Sequence, residues 1–89
     1  MKYLVQLVKK AAKSLNKLPK PIVKRILDKI SELEDNPKPA GSKKLQGHEL
    51  QRLRVGDWRV IYAIEEKVLL ILVVSIKLTG KVYKNLESL

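Results

Sequence analysis

The spacing of apolar positions changes character several times along these 89 residues. From Lys2 to Val8 it alternates loosely, with Tyr3, Val5 and Leu7 against Leu4, Gln6 and Val8, which predicts a first strand. Lys9 to Leu18 places Ala11, Ala12, Leu15 and Leu18 at helical spacing, so a short helix follows. Leu18-Pro19-Lys20-Pro21 breaks it, because neither proline can donate a helix hydrogen bond, and Pro21 suits the first turn of a second helix. In that helix Ile22, Val23, Ile26, Leu27, Ile30 and Leu33 form one stripe, with Lys24, Arg25, Asp28, Lys29, Glu32 and Glu34 outside it. Asn36-Pro37 must end the helix, and the stretch from Asn36 to Ser42 is a loop by composition.

The pattern then switches to a period of two. Leu50 to Ile64 holds two alternating runs around Gly56-Asp57, which predicts a hairpin with a tight turn. Glu65-Glu66-Lys67 reads as a second turn. Val68 to Ile76 is continuously apolar except for Ser75, the pattern of a central strand buried on both faces. Lys81 to Tyr83 would extend the sheet before a short tail. The expectation is one α+β domain over residues 1–89: an N-terminal strand, a two-helix hairpin, then three to four mostly antiparallel strands. The helix stripe must cover one sheet face, which leaves the other as a working surface.

Charge sharpens that picture. Nineteen Lys and Arg against nine Asp and Glu give a formal net charge of +10, which suggests nucleic acid, an acidic protein partner, or both. Residues i and i+2 share a sheet face, so Arg52 and Arg54 point the same way and repel unless something anionic lies over them. Arg59 adds a third guanidinium, which could bind phosphate or anchor a buried carboxylate or a helix end. Asp57 is a turn residue, His48 reads as exposed loop, and Trp58 and Tyr62 share a face with Val60 and Ile64 in the core. The lysines from Lys9 to Lys24 read first as a solvated helix face, with a nucleic-acid contact as the alternative.

No cysteine is present and one histidine cannot form a metal site, so neither a metal nor a cofactor is expected. The longest apolar run is about half of a spanning helix, and the N-terminus is too interrupted by lysine for a signal peptide. A cytoplasmic protein with no membrane association is the default expectation.

The segment LPKPIVKRILDKISELEDNPKPAGSKKLQG followed by LQRLRVGDWRVIYAI resembles the RelE superfamily of bacterial and archaeal toxin–antitoxin systems. The shared pattern comprises Leu-Pro before the second helix, Asn-Pro-x-Pro after it, Lys-Leu-x-Gly, Arg-Leu-Arg-Val-Gly-Asp-aromatic-Arg-Val-Ile-Tyr, an apolar strand and a terminal Val-Tyr. It runs from about Tyr3 to Tyr83. The resemblance implies the RelE-like fold, with a curved antiparallel sheet packed on the helices. It also implies ribosome-dependent endoribonuclease activity, an mRNA interferase that inhibits translation. The cut would be metal-independent attack of a ribose 2′-OH on the adjacent phosphate. The partners it implies are messenger RNA on the ribosome, ribosomal RNA and a cognate RelB-like antitoxin, with operator DNA for the toxin–antitoxin complex.

Carried over by position, the resemblance makes Arg54, Arg59 and Tyr83 catalytic and gives Arg52, Lys77 and Lys81 to substrate binding. Fixed guanidinium donors suit charge developing on phosphate oxygens, but arginine stays protonated and is a poor general base. Proton abstraction is left to Tyr83, to Lys77 or Lys81, or to the ribosome. The chain departs from the family at Ser75 to Thr79: Leu78 and Thr79 stand where many members have histidine and arginine. That opens three readings: a weakened or inactive toxin, an engineered non-toxic variant, or a site in which Lys77 or Lys81 substitutes. The competing functions are a non-catalytic antitoxin-binding protein and a ParE-like gyrase inhibitor.

Overall fold

The computed structural model describes residues 2–45, 47 and 49–78. Strand β1 (Leu4–Leu7) leads directly into helix α1 (Lys9–Asn16), and helix α2 (Lys20–Glu32) follows. Four strands complete the order: β2 (Ser42–Lys44), β3 (Gln51–Val55), β4 (Trp58–Glu65) and β5 (Leu70–Leu78). They form one five-stranded sheet in the spatial order β1-β5-β4-β3-β2. β1 runs parallel to β5 at one edge, and every other pairing is antiparallel. The α+β expectation holds.

The prolines set the helix boundaries. The carbonyl of Pro19 accepts from the Ile22 and Val23 amides at 3.0 Å each, so the residue that cannot continue α1 opens α2. Both helices lie on one side of the sheet. Ala11, Leu15, Ile26, Ile30 and Leu33 pack there against Leu53, Val55, Val60, Tyr62, Ile71, Val73 and Ile76. Leu27 departs from the expected stripe: it is 43% exposed, turned away from the sheet.

Tyr62 is fully buried and ties the loop after α2 to the core. Its hydroxyl donates to the Pro37 carbonyl at 2.6 Å, and the Ser42 hydroxyl donates to the Pro39 carbonyl at 2.7 Å. Loss of water around the phenol raises its pKa above the ordinary 10.0, against an opposing pull from the Ser42 side chain.

Two sequence expectations are corrected here. The sequence predicts a loop from Asn36 to Ser42, with Lys43, Lys44 and Leu45-Gln46-Gly47 leading into the hairpin, but Ser42–Lys44 forms the edge strand β2 on β3. Three residues are too few for alternation to be read from the sequence. β5 is not buried on both faces: Leu70, Leu72 and Val74 are half-buried, because the helices cover only the opposite side. The sheet is mostly antiparallel, as expected, with β1 the parallel neighbour of β5, which separates it from the hairpin strands. Lys81–Tyr83, expected to extend the sheet, lies outside the described residues.

Candidate nucleic-acid interface

The hairpin closes through a two-residue loop, Gly56-Asp57, between Val55 and Trp58. Gly56 has φ +60° at the first central position, the turn geometry whose twist matches paired strands. This fixes the register of β3 on β4, and the register fixes which side chains share a face. Residues directly opposite one another in an antiparallel pair point to the same side.

On the side away from the helices, Arg54 stands opposite Arg59, and Arg59 stands opposite Lys77. Three cations therefore form a row across β3, β4 and β5, with opposing Cα atoms about 4.5–5.5 Å apart. A second row carries Lys43 opposite Arg52, and Arg52 opposite Ile61. Arg52 and Arg54 share this face two residues apart, roughly 6.5 Å along the strand. Among the described residues of these strands, Glu65 is the sole carboxylate on that side, at the far end of β4.

A β-bulge aims Lys77. Tyr62 pairs with Val73 while Ile61 pairs with Ser75, so Val74 is an extra residue in β5. Ile71 and Val73 face the helices, and strict alternation would send Ser75 and Lys77 inward after them. The extra residue instead turns Ile76 into the core and puts Ser75 and Lys77 on the sheet side away from the helices, where Ser75 is buried and Lys77 half-buried. The alternative register would bury an ammonium group, a cost that fixes this one.

The side chains on this face differ in exposure. Arg54 is exposed, whereas Arg52, Arg59 and Lys77 are half-buried. The Arg52 Nε–H is buried with no hydrogen-bond partner among the described residues. The surface as built can grip anionic oxygens through several fixed donors at once.

Sequence reasoning placed Arg52, Arg54, Arg59 and Lys77 in the site, and the sheet brings these four together. It missed Lys43, which enters through the short strand β2. Tyr83, Lys81, Thr79 and His48 lie outside the described residues. Trp58, Val60, Tyr62 and Ile64 belong to or pack against the core, as expected. Lys9 and Lys13 are exposed on α1 and Lys17 at its C-terminal cap, in the helical layer and apart from the sheet's cationic face. Among the described residues no group of three His, Cys, Asp or Glu could hold a metal ion. No helix among them is long and apolar enough to cross a membrane.

Comparison with known proteins places this architecture. The family described as the ParE toxin of the type II toxin–antitoxin system parDE matches residues 5–83. The chain belongs to that toxin family, within the RelE/ParE superfamily. It is the toxin of a RelBE/ParDE-type toxin–antitoxin system. A chain of the archaeal RelE–RelB complex from Pyrococcus horikoshii OT3 is similar, with 36% identity over 91% of this chain and 99% of that one, at a TM-score of 0.81. Chains of the RelBE2 toxin–antitoxin complex from Mycobacterium tuberculosis and the intact RelBE complex from E. coli share the fold at 21% identity each. Their TM-scores are 0.79 and 0.76; each comparison covers 89% of this chain, with 100% and 99% of the respective partner. No curated protein sequence matches the chain.

Proposed function

We propose that this toxin is a ribosome-dependent endoribonuclease that cleaves messenger RNA and so inhibits translation. The observation that carries the reading is the row Arg54–Arg59–Lys77, flanked by Lys43 and Arg52, on a sheet face that the helices leave open. Attack of a ribose 2′-oxygen on the adjacent phosphorus would form a 2′,3′-cyclic phosphate and release the next nucleotide's 5′-oxygen, which takes a proton as it leaves. Negative charge gathers on the non-bridging oxygens during the attack. Guanidinium and ammonium groups already held on rigid strands stabilise that charge with little reorganisation. Arg54 and Arg59 fill this role, with Arg52 and Lys77 holding the strand.

Proton removal from the 2′-OH falls to Tyr83, to Lys77 or Lys81, or to the ribosome. Lys77 already lies in the row, two residues before Thr79, which replaces the expected arginine in the sequence. The proposed partners are messenger RNA on the ribosome with ribosomal RNA, in the cytoplasm, and a RelB-like antitoxin. In complex with that antitoxin the toxin would bind operator DNA. An acidic antitoxin segment would neutralise the same cations and keep RNA out.

Purified chain added to translating ribosomes should cut the message within the decoding region, as read by primer extension. Intact message, with supercoiling by DNA gyrase blocked instead, would favour the ParE-like reading that the family's name supports. Intact message and unaffected gyrase, with tight antitoxin binding, would favour a non-catalytic binding protein; Leu78 and Thr79 motivate that alternative.

A further inference from the structure

The cationic face does not stop at the end of β3. Arg25 and Lys29 lie four residues apart on α2, hence on one side of that helix. Both are exposed, and together with Arg54, Val55, Gly56 and Asp28 they line a cleft of about 240 Å³. Arg54 therefore belongs both to the sheet row and to this cleft. The turn itself makes room for the helix side chain: a Cβ at Gly56 would come within 2.9 Å of Arg25 Nη2. The glycine that closes the hairpin thus also lets a guanidinium lie against its backbone.

Asp28, the one carboxylate among the described residues that line the cleft, does not cancel the charge of Arg25, Lys29 and Arg54. Asp28 Oδ2 sits 3.6 Å from Lys24 Nζ, and Lys29 Nζ sits 3.8 Å from Glu32 Oε1. Pairs this exposed hold their partners weakly, so Lys29 remains available to a stronger anion. Among the described residues no aromatic ring lines the cleft. Its chemistry suits a phosphate.

We propose that Arg25, Lys29 and Arg54 form a second phosphate subsite, which takes the backbone of single-stranded RNA as it leaves the sheet around the Gly56 turn. This deepens the RNA-binding reading above and rests on it. The strand crosses the row at Arg59 and Arg54, and its next phosphates pass over the turn to α2. The subsite lengthens the footprint without reading sequence, because it touches phosphates alone.

The test uses 2′-O-methyl RNA, which lacks the attacking hydroxyl, in a trinucleotide and a nonanucleotide. Binding to the full chain is followed by fluorescence anisotropy across a salt series. The Arg25→Gln/Lys29→Gln variant should bind the trinucleotide as the wild type does. It should lose about tenfold on the nonanucleotide, with a salt slope shallower by about 1.4, at roughly 0.7 per phosphate contact on a single strand. The Arg25→Lys/Lys29→Arg variant keeps both charges and should keep the wild-type slope. Wild-type affinity and slope in the Gln variant on both lengths would overturn the subsite and leave the sheet reading standing. Equal losses in the Gln and charge-keeping variants would overturn it as well, since the effect would then not be one of charge. A wild-type chain that binds neither RNA would remove the sheet reading and the subsite together.

Discussion

The two faces of the β3–β4 hairpin share a backbone and differ in almost everything else. On the helical side Leu53, Val55, Val60 and Tyr62 are between 0% and 5% exposed. On the other side Arg52, Arg54 and Arg59 stand among one another with Lys43 and Lys77. Burying aliphatic side chains stabilises the fold by about 1.5–3 kcal/mol each, whereas like charges directly opposite one another oppose it. One face holds the sheet together; the other gathers like charges at a cost to the fold.

Neighbouring residues can break this contrast most sharply. Leu53→Asp puts an unpaired carboxylate in the core and should cost more than about 4 kcal/mol, leaving no folded chain by circular dichroism. Arg54→Asp, one residue on, should fold with a near-wild-type melting temperature and lose RNA binding. Equal stability of the two variants would show that the faces are not divided as described. On the helical layer, Ile26→Ala should cost about 2–5 kcal/mol in urea unfolding, with RNA affinity of the folded fraction unchanged.

A smaller effect is expected at Tyr62. Tyr62→Phe removes the hydrogen bond to Pro37 and should cost about 0.5–1.5 kcal/mol at neutral pH. The native phenol has its pKa raised above 10.0, so the unfolded chain ionises first as pH rises. The native state then holds more protons, and the phenol's contribution is full below pH 10 and falls above it, toward the raised native value. The Phe variant should lack that part of the alkaline decline. A decline of unchanged size above pH 10 would assign it to other groups.

The smallest change belongs to the open face. Arg52→Gln should alter stability by no more than about 0.5 kcal/mol in either direction, because relief of repulsion offsets lost packing. It should still weaken RNA binding. A loss of several kcal/mol would make Arg52 a structural residue.

The sequence made the hairpin legible because alternation, a Gly-Asp turn and paired arginines all point to one geometry. The prolines likewise marked both helices. β5 was less legible: Val68 to Ile76 is apolar nearly throughout, so its alternation hides the bulge at Val74 and with it the direction of Lys77. Lys43 was hidden for a different reason, since a three-residue edge strand leaves no period to read. Arg25 lies outside the apolar stripe of its helix, and its approach to Gly56 is a tertiary contact across some thirty residues that no local pattern encodes.

The central claim, that the open face holds RNA phosphates for cleavage, is tested most directly on translating ribosomes. Wild-type chain and the Arg54→Ala/Arg59→Ala variant are compared for the rate of message cleavage, with thermal unfolding measured in parallel. Removing charge-stabilising donors should slow cleavage by at least about 100-fold while leaving the melting temperature nearly unchanged. A folded variant that cuts at the wild-type rate would contradict the account.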